Sequence, residues 1–346
     1  MADGCAALGR EITLLALCDP YVAAVSDDME NSHRIFRIPA RLPTARRIEV
    51  FRKTIGETQI VSLQYVPFAY GRWGVAYGLA DFGAAVPGGV LRHVFCHELW
   101  LDKGYRGWSA PLRGALQKAA FKRTLAAWRP AVMHTTNEIY QNRLERIGAT
   151  VRKLELPSNV PVHDSSGSFW LEDQLSLDSQ KGRERHWLFG LFGSIHPEWD
   201  GAVAIARLTQ LARTSDRIPV FLSIGRTNDP GQRWRQWQQT FGETVVRPPL
   251  GEQPAARISE FLHKIDFGLS TNPLALTGKS TSVVAMLGHG LPVIVFRLEP
   301  ELPVLFRAGQ IIPADAALGE RMARAVKLPP EDQLPKLAQE FLNAFQ

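Results

Sequence analysis

The sequence predicts an α/β protein built from two doubly wound domains, and three observations carry that prediction. Strand-like apolar runs alternate with helical patterns from one end of the 346-residue chain to the other. Helices between consecutive strands are what parallel sheets with both faces covered require. A polar stretch near the middle, SNVPVHDSSGSFWLEDQLSLDSQKGRERH, has the Ser, Asp and Gly content of a linker. The break is placed near His163, giving domains over residues 1–163 and 164–346.

In the first domain the apolar runs read as strands at Glu11–Cys18, Arg34–Ile38, Gln59–Tyr65, Leu91–His97, Ala131–Thr135 and Val151–Leu156. Helices are expected between them at Thr44–Thr54, Trp73–Ala85, Ala110–Trp128 and Glu138–Ile147, the last capped by Thr135, Thr136 or Asn137. Ala2–Leu8 reads as a helix directly ahead of the first strand. A doubly wound domain would open with a strand and a Gly-rich turn there, so the first strand is expected to be missing.

The second domain repeats the alternation. Its strands are expected at Trp187–Phe192, Val220–Gly225, Thr244–Arg247, Phe267–Ser270, Pro292–Phe296 and Gln310–Ile312. Its helices are expected at Asp200–Arg213, Arg233–Phe241, Ala255–Lys264, Ser280–His289 and Leu318–Val326, with a final helix in Glu331–Phe345. Gly288 and Gly290 end the helix after Ser280, and Pro292 opens the strand behind it.

Composition bounds the function. Apolar content of 45% and charged content of 21% describe a folded globular chain. No apolar run approaches the ~20 residues of a membrane span, and ITLLALC is too short and wrongly flanked for a signal peptide. Cys5, Cys18 and Cys96 are odd in number and lack zinc spacing, which suits a reducing cytoplasm. Residues 1–163 carry 21 Lys/Arg against 14 Asp/Glu and the rest 19 against 20, so the halves are +7 and −1 and sum to +6. A basic first half suits an anionic partner, but no nucleic-acid reader motif accompanies it.

The stretch with most chemistry in it is STNPLALTGKSTSVVAMLGHGLPVIVF, residues 270–296. It reads as the end of a buried strand, a loop closing on Gly278, Lys279, Ser280 and Thr281, a helix, and a second buried strand. A helix N-terminus offers unpaired N–H groups and the positive end of a dipole, so it attracts phosphate. A nucleoside-triphosphate P-loop would need glycine five residues before the Gly-Lys pair, and Pro273 stands there. The remaining alternatives are another anionic ligand or a Gly-containing helix cap with no ligand.

His97 and Glu98 end the apolar strand VFC at the edge where doubly wound sheets bind ligands. His97 could orient a ligand or support charge, and Glu98 could accept a proton; a buried, satisfied histidine is the alternative. Neighbouring strand residues point to opposite faces, so only one of the two faces a ligand. His97 is preferred. Arg226, just after VFLSIG, sits at a similar edge.

Four segments follow one another along the chain: HVFCHELW (His93–Trp100), LELPSNVPV (Leu154–Val162), LFGSIHPEWDG (Leu191–Gly201) and TGKSTSVVAMLGHGLPVIV from Thr277. Together they resemble the retaining glycosyltransferases of family 4. The resemblance implies two facing Rossmann-like domains with a cleft between them (the GT-B arrangement), and a hexosyltransferase working in carbohydrate biosynthesis. It implies a nucleotide sugar as co-substrate, no other cofactor and no metal. Catalytic positions would be His97 and Glu98. The donor would be held by Gly193, Ser194, Arg226, Thr277, Gly278, Lys279, Ser280 and Thr281. Thr277 and Ala285 replace the two glutamates of the family's donor motif, and Ser280 replaces its second glycine. In the turn at Gly193, Ser194 or Ile195, and then Asp200, stand where an arginine and a lysine are usual. The alternative is therefore a catalytically silent protein of the same fold that binds a sugar or nucleotide, or a partner subunit.

Acceptors implied by the resemblance are saccharides, lipid-linked sugars or small molecules. The helix LRGALQKAAFKRTLAAWRP carries Arg113, Lys118, Lys122, Arg123 and Arg129 and no acid, so it could lie on anionic lipid at the inner face of the membrane. An ordinary surface helix is the alternative.

Overall fold

A computed structural model describes residues 1–30, 32–101, 109–164, 167–168, 170–175, 182–226, 231–299 and 310–346. The linker positions 165, 166, 169 and 176–181 lie outside these. The chain forms two compact units, Met1–Glu155 with Pro335–Gln346, and Leu156–Leu334.

In the first unit, α1 (Ala2–Ala7) precedes β1 (Thr13–Asp19), β2 (Ser26–Glu30) and β3 (His33–Pro39). These strands form a sheet of order β1-β3-β2, in which β1 runs parallel and β2 antiparallel to β3. The strand β2 was not expected. SDDME has one apolar residue, so no alternation marks it; it is placed by the backbone ladder to β3. Exposed pairs Arg34–Asp27 (2.7 Å) and Arg37–Glu30 (2.6 Å) add little to that ladder.

Next come α2 (Thr44–Thr54), β4 (Ile60–Tyr65), α3 (Pro67–Tyr70), α4 (Leu79–Ala85), β5 (Leu91–Cys96), α5 (Ala110–Trp128), β6 (Val132–Thr135), α6 (Glu138–Glu145) and β7 (Arg152–Lys153). The sheet β4-β5-β6-β7 is parallel throughout. One helix expected over Trp73–Ala85 is broken. Arg72–Gly74 is a single 3₁₀ turn with Trp73 at φ +61°, and α4 starts only at Leu79. Gly71, Gly74 and Gly78 crowd this segment, and glycine is the costliest ordinary residue in a helix after proline.

The second unit holds α7 (Trp170–Leu175), β8 (His186–Phe192), α8 (Gly201–Thr214), β9 (Ile218–Ile224), α9 (Gln232–Phe241), α10 (Ala255–Lys264), β10 (Phe267–Ser270), α11 (Thr281–Gly288), β11 (Val293–Val295), β12 (Ile311–Pro313) and α12 (Leu318–Arg324). The last helix, α13 (Leu334–Asn343), returns the chain to the first unit. The sheet has order β12-β11-β10-β8-β9, with every pair parallel. The strand expected at Thr244–Arg247 is reduced to one bridge, Phe221 to Val246.

Both faces of this second sheet are buried. Phe189, Phe221, Phe267 and Ile294 pack on one side with Ile205 and Leu208 of α8 and Trp234 of α9. Leu188, Leu222 and Val293 pack on the other with Phe261 of α10 and Met286 of α11. Continuous apolar strands such as Trp187–Phe192 thus have a cause: each residue meets a helix whichever way it points. The chain winds from β8 outward to β9, then returns to β10 beside β8 and winds the opposite way. That reversal is a topological switch point, where a crevice opens at the carboxyl ends of the strands.

Candidate functional site

The switch point is built by the turns that follow β8, β9 and β10. Gly193 leaves β8 at φ +85°, a conformation that suits glycine, and its N–H donates to the Ile224 carbonyl at 2.9 Å. A Cβ at Gly225 would lie 3.3 Å from the Gly193 nitrogen, so the two turns touch. Thr271 Oγ1 donates to the Ser194 carbonyl at 3.3 Å and accepts from the His196 N–H at 3.1 Å. Asn272 Nδ2 donates to Ser280 Oγ at 3.1 Å. These bonds bring the expected positions Gly193, Ser194 and Ser280 into one contiguous edge.

The Gly-Lys-Ser-Thr segment has a different form from the open loop expected. Leu274–Lys279 winds as a 3₁₀ helix, and Ser280 caps α11 by accepting from the Val283 N–H at 3.5 Å. Thr277 is buried, its hydroxyl donating to the Leu274 carbonyl at 2.8 Å. Gly278 and Thr281 are exposed, and Lys279 lies half-buried between them. Ala285 is fully buried among apolar neighbours, leaving no carboxylate on that face of α11.

Arg226 is 80% exposed and paired with Glu252, its Nε 3.0 Å from the carboxylate. A second arginine, missed in the sequence, sits deeper. Arg297 follows β11, with one Nη donating to His196 Nδ1 at 2.8 Å and the other reaching Glu198 at 2.8 Å and Glu299 at 2.6 Å. Arg233 Nη1 donates to the His196 carbonyl at 3.2 Å. Burial first, and then the Arg297 charge, hold the His196 imidazole below its usual range. The reasoning that drew attention to Arg226, a cation just beyond an apolar strand, applies equally to Arg297.

In the first unit His97 prolongs β5, its N–H donating to the Tyr65 carbonyl at 3.1 Å. Its ring stacks on Phe95 at 4.4 Å, and Nε2 lies 2.8 Å from Gln64 Oε1. Burial lowers its pKa to about 4, so it is neutral at pH 7. Glu98 is half-buried on the next position. Asn137 caps α6 by accepting from the Tyr140 N–H at 2.9 Å, and Thr135 Oγ1 donates to the Cys96 carbonyl at 3.0 Å.

No protein-family profile matches the chain, and no curated protein sequence is similar to it. Solved structures are similar in fold. Anabaena Alr3699/HepE in complex with UDP and glucose matches at 12% identity over 91% of this chain and 86% of that one, with a TM-score of 0.54. Sucrose-phosphate synthase from Thermosynechococcus elongatus matches at 14% identity over 99% and 86%, also with a TM-score of 0.54. A Listeria monocytogenes protein described as a UDP-N-acetylglucosamine 2-epimerase matches at 13% identity over 90% and 82%, with a TM-score of 0.51. At such identities the likeness is one of fold. The chain is an α/β protein of two Rossmann-like units with the GT-B fold.

Proposed function

We propose that this protein is a glycosyltransferase of the family 4 type, retaining and metal-independent, taking a sugar from a nucleotide-sugar donor. The observation that carries the reading is the switch-point edge, where the Gly193 turn, the capped start of α11 and Arg297 converge. Departure of a diphosphate builds negative charge, which backbone N–H groups and fixed cations stabilise. Ser194, Lys279, Ser280 and Thr281 would face that charge, with Arg226 and Arg297 supplying the cations missing from the Gly193 turn. Neutral His97 would accept from a ligand hydroxyl, and Glu98 would serve as hydrogen-bond acceptor or base. The fold is shared with a structure holding UDP and glucose, which makes UDP the first nucleotide to try.

The acceptor would be a saccharide, a lipid-linked sugar or a small molecule. No helix among the described residues is long and apolar enough to cross a membrane. A cytoplasmic place at the inner face of an anionic membrane fits the exposed Lys122 and Arg123 of α5. Sedimentation with vesicles tests this; equal recovery with acidic and neutral lipid overturns it.

A second reading, a silent sugar- or nucleotide-binding protein of the same fold, is favoured by buried Ala285 and backbone-bonded Thr277. A thermal-shift panel of nucleoside diphosphates and nucleotide sugars tests both, because a ligand of the folded state raises the melting temperature by mass action. Binding with donor turnover supports the transferase, binding without turnover the silent protein, and no shift overturns both.

A further inference from the structure

One face of the β4–β7 sheet buries two histidines at its centre, with Ser62 half-buried and Gln64 exposed at its edge. Its other face, with Leu63, Tyr65, Val94 and Met133, belongs to the apolar core of the first unit. The polar face carries Ser62 and Gln64 of β4, His93 and Phe95 of β5, and His134 of β6, in the alternation a strand imposes. A chain of hydrogen bonds crosses it. Gln64 Nε2 donates to Ser62 Oγ at 2.7 Å, Ser62 Oγ lies 2.7 Å from His93 Nδ1, and His93 Nε2 lies 3.0 Å from His134 Nδ1.

The cover over this face is α13. Phe341 and Phe345 meet the His93 ring edge-on at 5.0 and 5.7 Å, and Phe341 also lies 6.2 Å from the His134 ring. Leu337 and Ala338 complete the inner side of the helix, whereas its charged residues Lys336 and Glu340 are exposed. His93 and His134 are almost wholly buried.

Such a pair does not tolerate two charged rings. The nitrogen–nitrogen contact needs one donor and one acceptor, so it cannot survive with both rings protonated. Among the described residues, the charged or titratable groups that act on the pair are His97 of the same strand, and Arg152 of β7, which pairs in register with His134. Both oppose a positive charge. On α13 the only acid, Glu340, is exposed, and Ser62 and Gln64 of β4 carry no charge. A proton would therefore place an uncompensated cation beneath two phenyl rings.

We propose that the His93–His134 pair is an acid-sensitive catch for the C-terminal helix. While both rings are neutral, α13 stays on the sheet; as they take up protons, residues 334–346 leave it while the sheet beneath stays folded. In the docked state burial, foremost, holds His93 at about 3 and His134 at about 4. Undocked and hydrated, both would titrate near 6.5. These pKa values are depressed on docking, so docking is at full strength above pH ~6.5 and is lost as the pH falls below it. With two protons taken up, the docking constant should fall about 100-fold for each pH unit between ~6 and ~4.5.

Hydrogen exchange of the full chain, read by mass spectrometry from pH 7.5 to 4.5 and corrected for intrinsic rates, tests this. The expected result is loss of protection over residues 334–346 with a two-proton slope, while peptides from β4 and β5 keep theirs. His134→Gln should halve the slope, and the His93→Gln/His134→Gln double variant should abolish it. Should the double variant fail to fold, Phe341→Ala serves instead: it should loosen the helix at every pH without changing the slope. Retained protection at pH 5, opening together with the sheet, or an unchanged slope in His134→Gln would each overturn the proposal.

Discussion

Trp128 lies across Gly83. A Cβ added at Gly83 would collide with the indole ring, and the indole N–H donates to the Leu79 carbonyl at 2.8 Å, which pins the ring there. This contact joins α4 to α5 at the edge of the first core. Gly83→Ala should therefore cost about 1–3 kcal/mol through overpacking, read as a lower urea midpoint with unchanged slope. Gly88→Ala, where a Cβ meets nothing within 4 Å, is the control and should stay within ~0.5 kcal/mol.

Gly290 makes a closer approach still. It leaves α11 at φ +72°, and its Cα faces the Leu328 backbone so tightly that a Cβ would overlap the carbonyl oxygen. Gly290→Ala combines backbone strain with a clash that no side-chain rotation relieves. A loss of about 3 kcal/mol or more is expected. Equal melting temperatures for variant and parent would show that the Leu328 segment moves aside freely.

Lys279→Ala should remove the thermal shift given by any nucleotide or nucleotide sugar that binds. Arg297→Met should weaken the same ligand about tenfold, the equivalent of one charge-assisted hydrogen bond. It should also destabilise the free protein by ~1 kcal/mol, since Glu198 and Glu299 lose their partner. Isothermal titration with UDP separates the two effects. Unchanged affinity in both variants would remove the diphosphate from this edge.

Of the cysteines, only Cys18 should react with iodoacetamide in the native protein. Cys5 and Cys96 are buried, and burial raises both thiols above their ordinary range, so little thiolate forms. Mass spectrometry after brief labelling should find one adduct, and three after denaturation. Rapid labelling of Cys96 would mean that the β5 core opens often.

The parts of this fold that could be read in advance share a cause. Ala110–Trp128, Ala255–Lys264 and Phe267–Ser270 have the expected bounds, because local preference and burial agree there. The strand β2 escaped notice because Asp27, Asp28 and Glu30 obey a partner strand rather than any pattern of their own. The helix expected from Trp73 fails on three glycines within eight residues, which local periodicity does not weigh. At the switch point, Ser280 could be named from helix-start chemistry, and Gly193 from the family resemblance of its turn. Arg297 reaches His196 across 101 positions of sequence, and only the return of β11 beside β10 shows that the two meet. His97 could be placed at a strand end, but Gln64 and Ser62, which connect it to the buried pair, carry no signal of their own in a run such as IVSLQY.

The path of the chain through the two units has a consequence for biosynthesis. The second unit is closed by residues 156–334 alone, whereas the first needs Pro335–Gln346, which are made after the whole of the second. The unit made first is thus the last to be finished. Until those residues emerge, the histidine-bearing face of its sheet stays uncovered, and a chain stopped before Pro335 would leave it bare for good. Termination before Pro335 should accordingly damage the amino-terminal half, and nascent chains should bind chaperones through that face.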